Sequence, residues 1–212
     1  MIKAVLFDFW GTLVENGTYS PLRQTYNILR VRMSFSEFVR LFEAAVMTHN
    51  FEDQASAFAQ AFEVFGLQPK DFLIEKLIGV WNSNKLLAKP YEETTRVLEM
   101  LKEKGIKIAL ISNTPTSSTE TVLEKYDLAK YFDAIVLSHD TGYLKSDPQM
   151  FDLALEKLGV SKDEAIMVGD SVESDIAGAE NAGIKGVLID RKGTRDHEYK
   201  MGNLAEIENF LQ

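Results

Sequence analysis

Four short polar stretches of this 212-residue chain carry residue types that could handle a charged substrate. The first is Asp8-Phe9-Trp10-Gly11-Thr12-Leu13 and the second is Ser112-Asn113-Thr114. Lys145 lies in the third, Gly142-Tyr143-Leu144-Lys145-Ser146-Asp147-Pro148, and the fourth is Gly169-Asp170-Ser171-Val172-Glu173-Ser174-Asp175. A carboxylate can attack an electrophile as a nucleophile. Carboxylates can also hold a hard divalent cation, a lysine ammonium is a compact point charge, and a hydroxyl can donate to an anionic oxygen. Each stretch alone has a plainer explanation. An aspartate after a strand is often a helix cap, Gly-Asp is a turn signal, and a lone lysine is usually a solvated charge.

Their placement gives them weight. The apolar runs Ala4–Phe7, Ile106–Ile111, Ala134–Leu137 and Ala165–Val168 precede the four stretches in chain order, the third at more distance, and a fifth run spans Val187–Ile189. Continuous runs of Ile, Val and Leu suit strands covered on both faces of a parallel sheet. Helical patterns lie between them. Tyr91–Lys104 carries Val97, Leu98 and Leu101 and stops at Gly105, while Ser174–Ala182 stops at Gly183. Ser117-x-x-Glu120 and Ser161-x-x-Glu164 have capping-box spacing, and Asp147-Pro148 offers an N-cap with proline at the first helical position. The alternation predicts right-handed βαβ units in an α/β fold with a doubly wound parallel sheet. Such sheets bind ligands beyond the carboxyl ends of their strands, so three aspartates, a lysine and a hydroxyl should converge on one rim.

Residues 15–88 break the alternation. They show no strand run and read as helices near Pro21–Arg32, Ser36–Thr48, Glu52–Phe65 and Lys70–Lys85, with Ser34-x-x-Glu37 capping the second. The expected organisation is a helical insert at 15–88 within a unit formed by 1–14 and 89–212. The insert holds seven basic and eight acidic residues, so nearly all of the chain's net charge of −9 lies outside it. It also holds 11 of the 22 aromatics, chiefly as a bundle core, with one or two expected to line a pocket facing the sheet.

A net charge of −9 argues against nucleic acid or an anionic membrane as the main partner. With no cysteine, disulfides, thiolate metal sites and a cysteine nucleophile are excluded. The apolar start Met1–Phe7 ends at an acid and lacks a cleavage pattern, and no stretch approaches the ~20 apolar residues of a membrane span. The expectation is a soluble cytoplasmic protein. His49, His139 and His197 are too scattered for a metal cluster and are expected on the surface or in loops.

Together the four stretches resemble the motifs of the haloacid dehalogenase superfamily, in the subgroup with a helical cap inserted after the first motif. Asp175-Ile176-Ala177-Gly178-Ala179 matches that family's D-x-x-G-A as well. The resemblance implies that Asp8 is a nucleophile forming an aspartyl-phosphate. It implies Mg²⁺ held by Asp8, Asp170 and the backbone carbonyl of Trp10, with Asp175 steadying the ion's water shell or orienting Lys145. Ser112, Lys145 and the amides near Asn113 and Thr12 would then bind the phosphoryl oxygens of a small phosphorylated metabolite.

Trp10 departs from that pattern. In the family's phosphatases the second position after the nucleophile is usually an aspartate that protonates the leaving oxygen and then activates water; tryptophan can do neither. General acid–base catalysis is typically worth roughly 10²–10⁴-fold, so good leaving groups should be favoured. An aromatic here resembles the metal-independent 2-haloacid dehalogenases, which carry tyrosine and need no proton on the departing halide. The retained Asp170 favours the phosphatase, with a weakly active phospho-ligand-binding protein as a further alternative.

Overall fold

The computed structural model describes residues 1–17 and 20–212. The sheet starts with β1 (Ala4–Phe7), after which the chain leaves it for four helices: α1 (Pro21–Leu29), α2 (Phe35–Val46), α3 (Gln54–Val64) and α4 (Asp71–Leu87). It returns through α5 (Thr94–Glu103), β2 (Lys107–Ser112), α6 (Ser118–Lys125), β3 (Ala134–Leu137), the single turn α7 (Ser138–Thr141) and α8 (Pro148–Leu158). β4 (Ala165–Gly169), a π-helical turn at Val172–Ile176, α9 (Ala177–Asn181), β5 (Lys185–Ile189) and β6 (Lys200–Met201) complete the core.

All strand pairs are parallel, in the order β3-β2-β1-β4-β5-β6. The winding reverses between β1 and β4, which is where an open α/β sheet leaves a crevice. Phe7 pairs with Leu110 on one side and Val168 on the other, so the strands bearing Asp8, Ser112 and Asp170 end together. Side chains alternate across the sheet. Val5, Phe7, Ile108, Leu110 and Val168 pack with Val97, Leu98 and Leu101 of α5, while Leu6, Ala109, Ile111 and Met167 pack with Phe151, Ala154 and Leu155 of α8. The four helices after β1 bury a separate cluster built on Phe38, Phe42, Phe58, Phe62, Leu77 and Trp81. Among the described aromatics of this segment, Phe35 and Trp81 also line the cleft beneath it, and Tyr19 lies outside the described residues.

Several local expectations need correcting. β6 has two residues, too few to show an apolar run, and it joins the sheet by pairing with Leu188 and Ile189. Ser117 adopts a left-handed backbone and makes no side-chain cap, so that capping box is absent. Asp147 does not cap α8; its Oδ2 instead accepts the Leu144 N–H at 2.9 Å and tightens the turn bearing Lys145. Ser34 does cap α2, and the Ser161–Glu164 box forms around a short 3₁₀ turn. His139 is buried, contrary to its expected exposure. Its Nδ1 lies 3.1 Å from the Thr114 carbonyl and its Nε2 3.1 Å from Glu120. Burial opposes its charge, but the Glu120 and Asp140 carboxylates outweigh this and raise its pKa. No helix among the described residues is long and apolar enough to cross a membrane.

Candidate active site

The site is assembled at the carboxyl edge of β1, β2 and β4. Asp8 follows β1 directly and is buried, as are Lys145 and Asp175. The ammonium of Lys145 donates to Asp8 Oδ1 at 2.5 Å and to Asp175 Oδ1 at 2.6 Å. Thr12 Oγ1 donates to the other oxygen of Asp8 at 3.1 Å. Oxygens of Asp8, Asp170 and Asp175 all lie within 4.8 Å of one another. Burial raises Asp8 to about 6, with Lys145 opposing and Asp175 reinforcing the shift. Burial and the Asp8 and Asp175 charges raise Asp170 to about 7 against the pull of Lys145 and Arg195. Lys145 is raised too: its burial is outweighed by Asp175 and Asp8. These carboxylates are short of positive charge, which one ammonium does not make up.

Local backbone explains the placement. Gly11 has φ +85, and a Cβ there would overlap the Asp170 carboxylate, so glycine lets the first loop close onto the fourth. A single helix over Ser174–Ala182 does not form. The π-helical turn at Val172–Ile176 precedes α9 and sets Asp175 Oδ2 to accept the Ser171 N–H at 2.9 Å. Such turns often occur at functional sites. Gly178 of α9 abuts the Lys145 carbonyl so closely that any Cβ would overlap it. Gly178→Ala should therefore cost about 1–3 kcal/mol, although helix propensity alone favours alanine by about 1 kcal/mol. A denaturant melt gives the sign, and a stabilised variant would refute this packing.

The remaining expected residues lie close by. Ser112 ends β2; its hydroxyl is buried, makes no hydrogen bond with the described residues and is not part of the cleft lining. The Asn113 carboxamide is already engaged: Oδ1 accepts the Lys145 N–H at 2.9 Å, and Nδ2 donates to Glu43 Oε2 at 2.9 Å. Trp10 packs edge-on against Phe9, with ring centroids 5.1 Å apart, and walls the cleft. His49 is exposed, bonded to Thr48, and absent from the cleft lining.

The cleft has a volume of about 620 Å³, within the range of small-molecule sites. Its floor is Asp8, Lys145, Asp170 and Asp175, and its far wall comes from α1, α2 and α4. Two contributors were not anticipated. Glu43 of α2 reaches the cleft, and its signal was an acid between Val39 and Met47, one helical turn from each, on an otherwise apolar stripe. Arg195 donates to the Asp170 backbone carbonyl and pairs with Asp190, from a loop with no recognisable pattern.

The family model described as haloacid dehalogenase-like hydrolase matches residues 2–183. The chain is 28% identical over 226 aligned positions to a glyceraldehyde 3-phosphate phosphatase of Methanothermobacter thermautotrophicus, covering 100% of this chain and 98% of that one. It is 34% identical over 200 positions to a pyrophosphatase PpaX of Halalkalibacterium halodurans, covering 89% and 83%. The crystal structure of a HAD phosphatase from Thermococcus onnurineus superposes with a TM-score of 0.66 at 29% identity, covering 99% and 98%.

Proposed function

Because the chain belongs to the haloacid dehalogenase-like hydrolases, we propose that it is a phosphatase that hydrolyses a small phosphomonoester through an aspartyl-phosphate on Asp8. The observation that carries this reading is the cleft floor, where the buried Lys145 ammonium joins Asp8 and Asp175 with Asp170 alongside. A nucleophilic carboxylate with one ammonium and further carboxylates around it suits attack on a phosphate group aided by a divalent cation. Two curated relatives bear the names of enzymes acting on phosphate groups, which agrees with this.

The residues divide the work. Asp8 attacks phosphorus in line with the leaving oxygen. Lys145 holds Asp8 in place and neutralises phosphoryl charge, while Asp175 fixes the ammonium. Ser112 and the backbone N–H of Asn113, which donates to none of the described residues, bind equatorial oxygens, where charge accumulates. Thr12 steadies the second oxygen of Asp8. The segment 15–88 acts as a cap that keeps bulk water from the cleft.

The donor set fits Mg²⁺. Two carboxylates with raised pKa values stand together, and the Trp10 carbonyl accepts no hydrogen bond from the described residues. Asp8, Asp170 and that carbonyl would hold the ion, which favours a few carboxylates together with water and substrate phosphate. When bound, it would neutralise charge on the phosphoryl group. EDTA should cut phosphate release at least about 10²-fold, reversibly on adding Mg²⁺; undiminished turnover under EDTA would refute the metal assignment.

Trp10 favours one rival, a metal-independent 2-haloacid dehalogenase, because halide leaves without a proton. Halide released from 2-chloropropionate without Mg²⁺ would establish it. The phosphatase predicts none.

A further inference from the structure

With Trp10 in place of an acid, the leaving oxygen needs a proton from elsewhere. We propose that Glu43, carried across the cleft on α2, donates that proton and then serves as the base that activates water.

The stripe Phe35, Val39 and Glu43 of α2, continued by Met47 just past its end, lines the cleft, while Phe38, Phe42 and Val46 on the adjoining face enter the helical core. In-line attack by Asp8 puts the leaving oxygen on the opposite side of phosphorus, where this stripe forms the wall. Five acids line the cleft: Asp8, Glu43, Asp170, Glu173 and Asp175. Asp8, Asp170 and Asp175 form the floor cluster, and Glu173 is exposed on the π-helical turn. Among the described residues, Glu43 is the one cleft-lining acid that α1–α4 contribute.

Its carboxyl is oriented. Asn113 Nδ2 holds Oε2 at 2.9 Å, and the same carboxamide accepts the Lys145 N–H, so the acid is referenced to the phosphate side of the cleft. Oε1 takes part in no hydrogen bond with the described residues and is available to a ligand. The charged groups around it are Lys145, Asp8 and Asp175 from the core and Arg40 on its own helix, which also lines the cleft. Burial, with Asp175 and Asp8 adding and Lys145 and Asn113 opposing, brings Glu43 to about 7, where a carboxyl can both give and take a proton near neutral pH.

The two steps balance. In the first, an Asp8 oxygen bonds to phosphorus and the bond from phosphorus to the leaving oxygen breaks. The electron pair goes to that oxygen, which takes the Glu43 proton and departs as an alcohol. In the second, the Glu43 carboxylate removes a proton from water as its oxygen bonds to phosphorus. The acyl-phosphate bond breaks, its pair returns to Asp8, and phosphate leaves with Glu43 protonated again. The expected preference for good leaving groups then belongs to an enzyme lacking Glu43, not to the native chain.

This proposal rests on the phosphatase reading, and Glu43→Gln separates the two. Glutamine keeps an oxygen for Asn113 but has no proton to exchange. With glycerol phosphate, a poor leaving group, the variant should lose roughly 10²–10⁴-fold in kcat/KM. With 4-nitrophenyl phosphate, kcat/KM should stay within about threefold while kcat falls, because only the second step then needs Glu43. The wild-type rate on glycerol phosphate should decline as pH rises through about 7, where Glu43 loses its proton, and the variant should lack that limb. Glu63→Gln, at an exposed position of α3 outside the cleft lining, should change the rate on neither substrate. An equal loss of kcat/KM on both substrates, or no loss on glycerol phosphate, overturns the proposal while leaving the phosphatase standing. A wild-type protein that releases phosphate from neither substrate overturns both.

Discussion

Asp8→Asn should abolish turnover while stabilising the fold. Asparagine is nearly isosteric and keeps an oxygen for the Lys145 or Thr12 donors, yet it cannot form the covalent intermediate. The expected loss is roughly 10⁶-fold, the scale seen when an enzyme's nucleophile is removed. Stability should move the other way. Burial places the folded-state pKa of Asp8 at about 6, above its unfolded value near 3.9, so its charge costs folding energy once pH exceeds both. Removing that charge should gain on the order of 1–3 kcal/mol above about pH 6 in the absence of divalent ions. The gain should shrink as pH falls and vanish below about pH 4, where the wild-type carboxyl is protonated in both states. Denaturant midpoints at pH 4 and 7.5, with phosphate release from 4-nitrophenyl phosphate, test both halves. Residual turnover near wild type would dismiss Asp8 as the nucleophile. A variant less stable at pH 7.5 would mean that its contacts with Lys145 and Thr12 outweigh its burial.

Lys145→Met should damage both properties. Methionine replaces much of the stem volume but leaves Asp8, Asp170 and Asp175 facing one another without the ammonium. Removing one partner of a buried ion pair typically costs about 3–5 kcal/mol, whereas removing Lys104 from its exposed pair with Glu208 should cost under about 1 kcal/mol. The loss should be largest above pH 7 and smaller near pH 5, because Asp8 and Asp170 take up protons as pH falls through about 6 and about 7. Mg²⁺ should restore part of it: an ion at a hundred times its Kd contributes about 2.7 kcal/mol. Turnover should fall roughly 10²–10³-fold from loss of charge stabilisation alone. A stability loss that is independent of pH and of Mg²⁺ would point to lost packing instead of unbalanced charge.

The chemistry-bearing residues were legible wherever they follow a strand. A buried parallel strand announces itself by a continuous apolar run, and the first polar residue after it stands on the ligand-binding edge. The sequence by its own pattern therefore assigns Asp8, Ser112 and Asp170 to one rim. Lys145 and Asp175 were legible by type and order but not by geometry. The contacts of Lys145 with Asp8 at 2.5 Å and with Asp175 at 2.6 Å depend on the π-helical turn and on the close approach at Gly178, which no local pattern encodes. β6 was invisible because two residues carry no period.

Glu43 marks the boundary between what the chain specifies locally and what its packing adds. The apolar pattern over residues 36–48 determined a helix with an apolar face, because apolar side chains recurring every three or four residues must be buried together. The sequence by itself thus determined a parallel α/β core, a helical insert and a rim of acids with one lysine. Only the tertiary structure decided which side of that helix meets the rim, which carboxyl Asn113 orients, and how strongly burial shifts the acids. Those outcomes depend on contacts between segments 70 to 137 residues apart, whose energies local spacing does not contain.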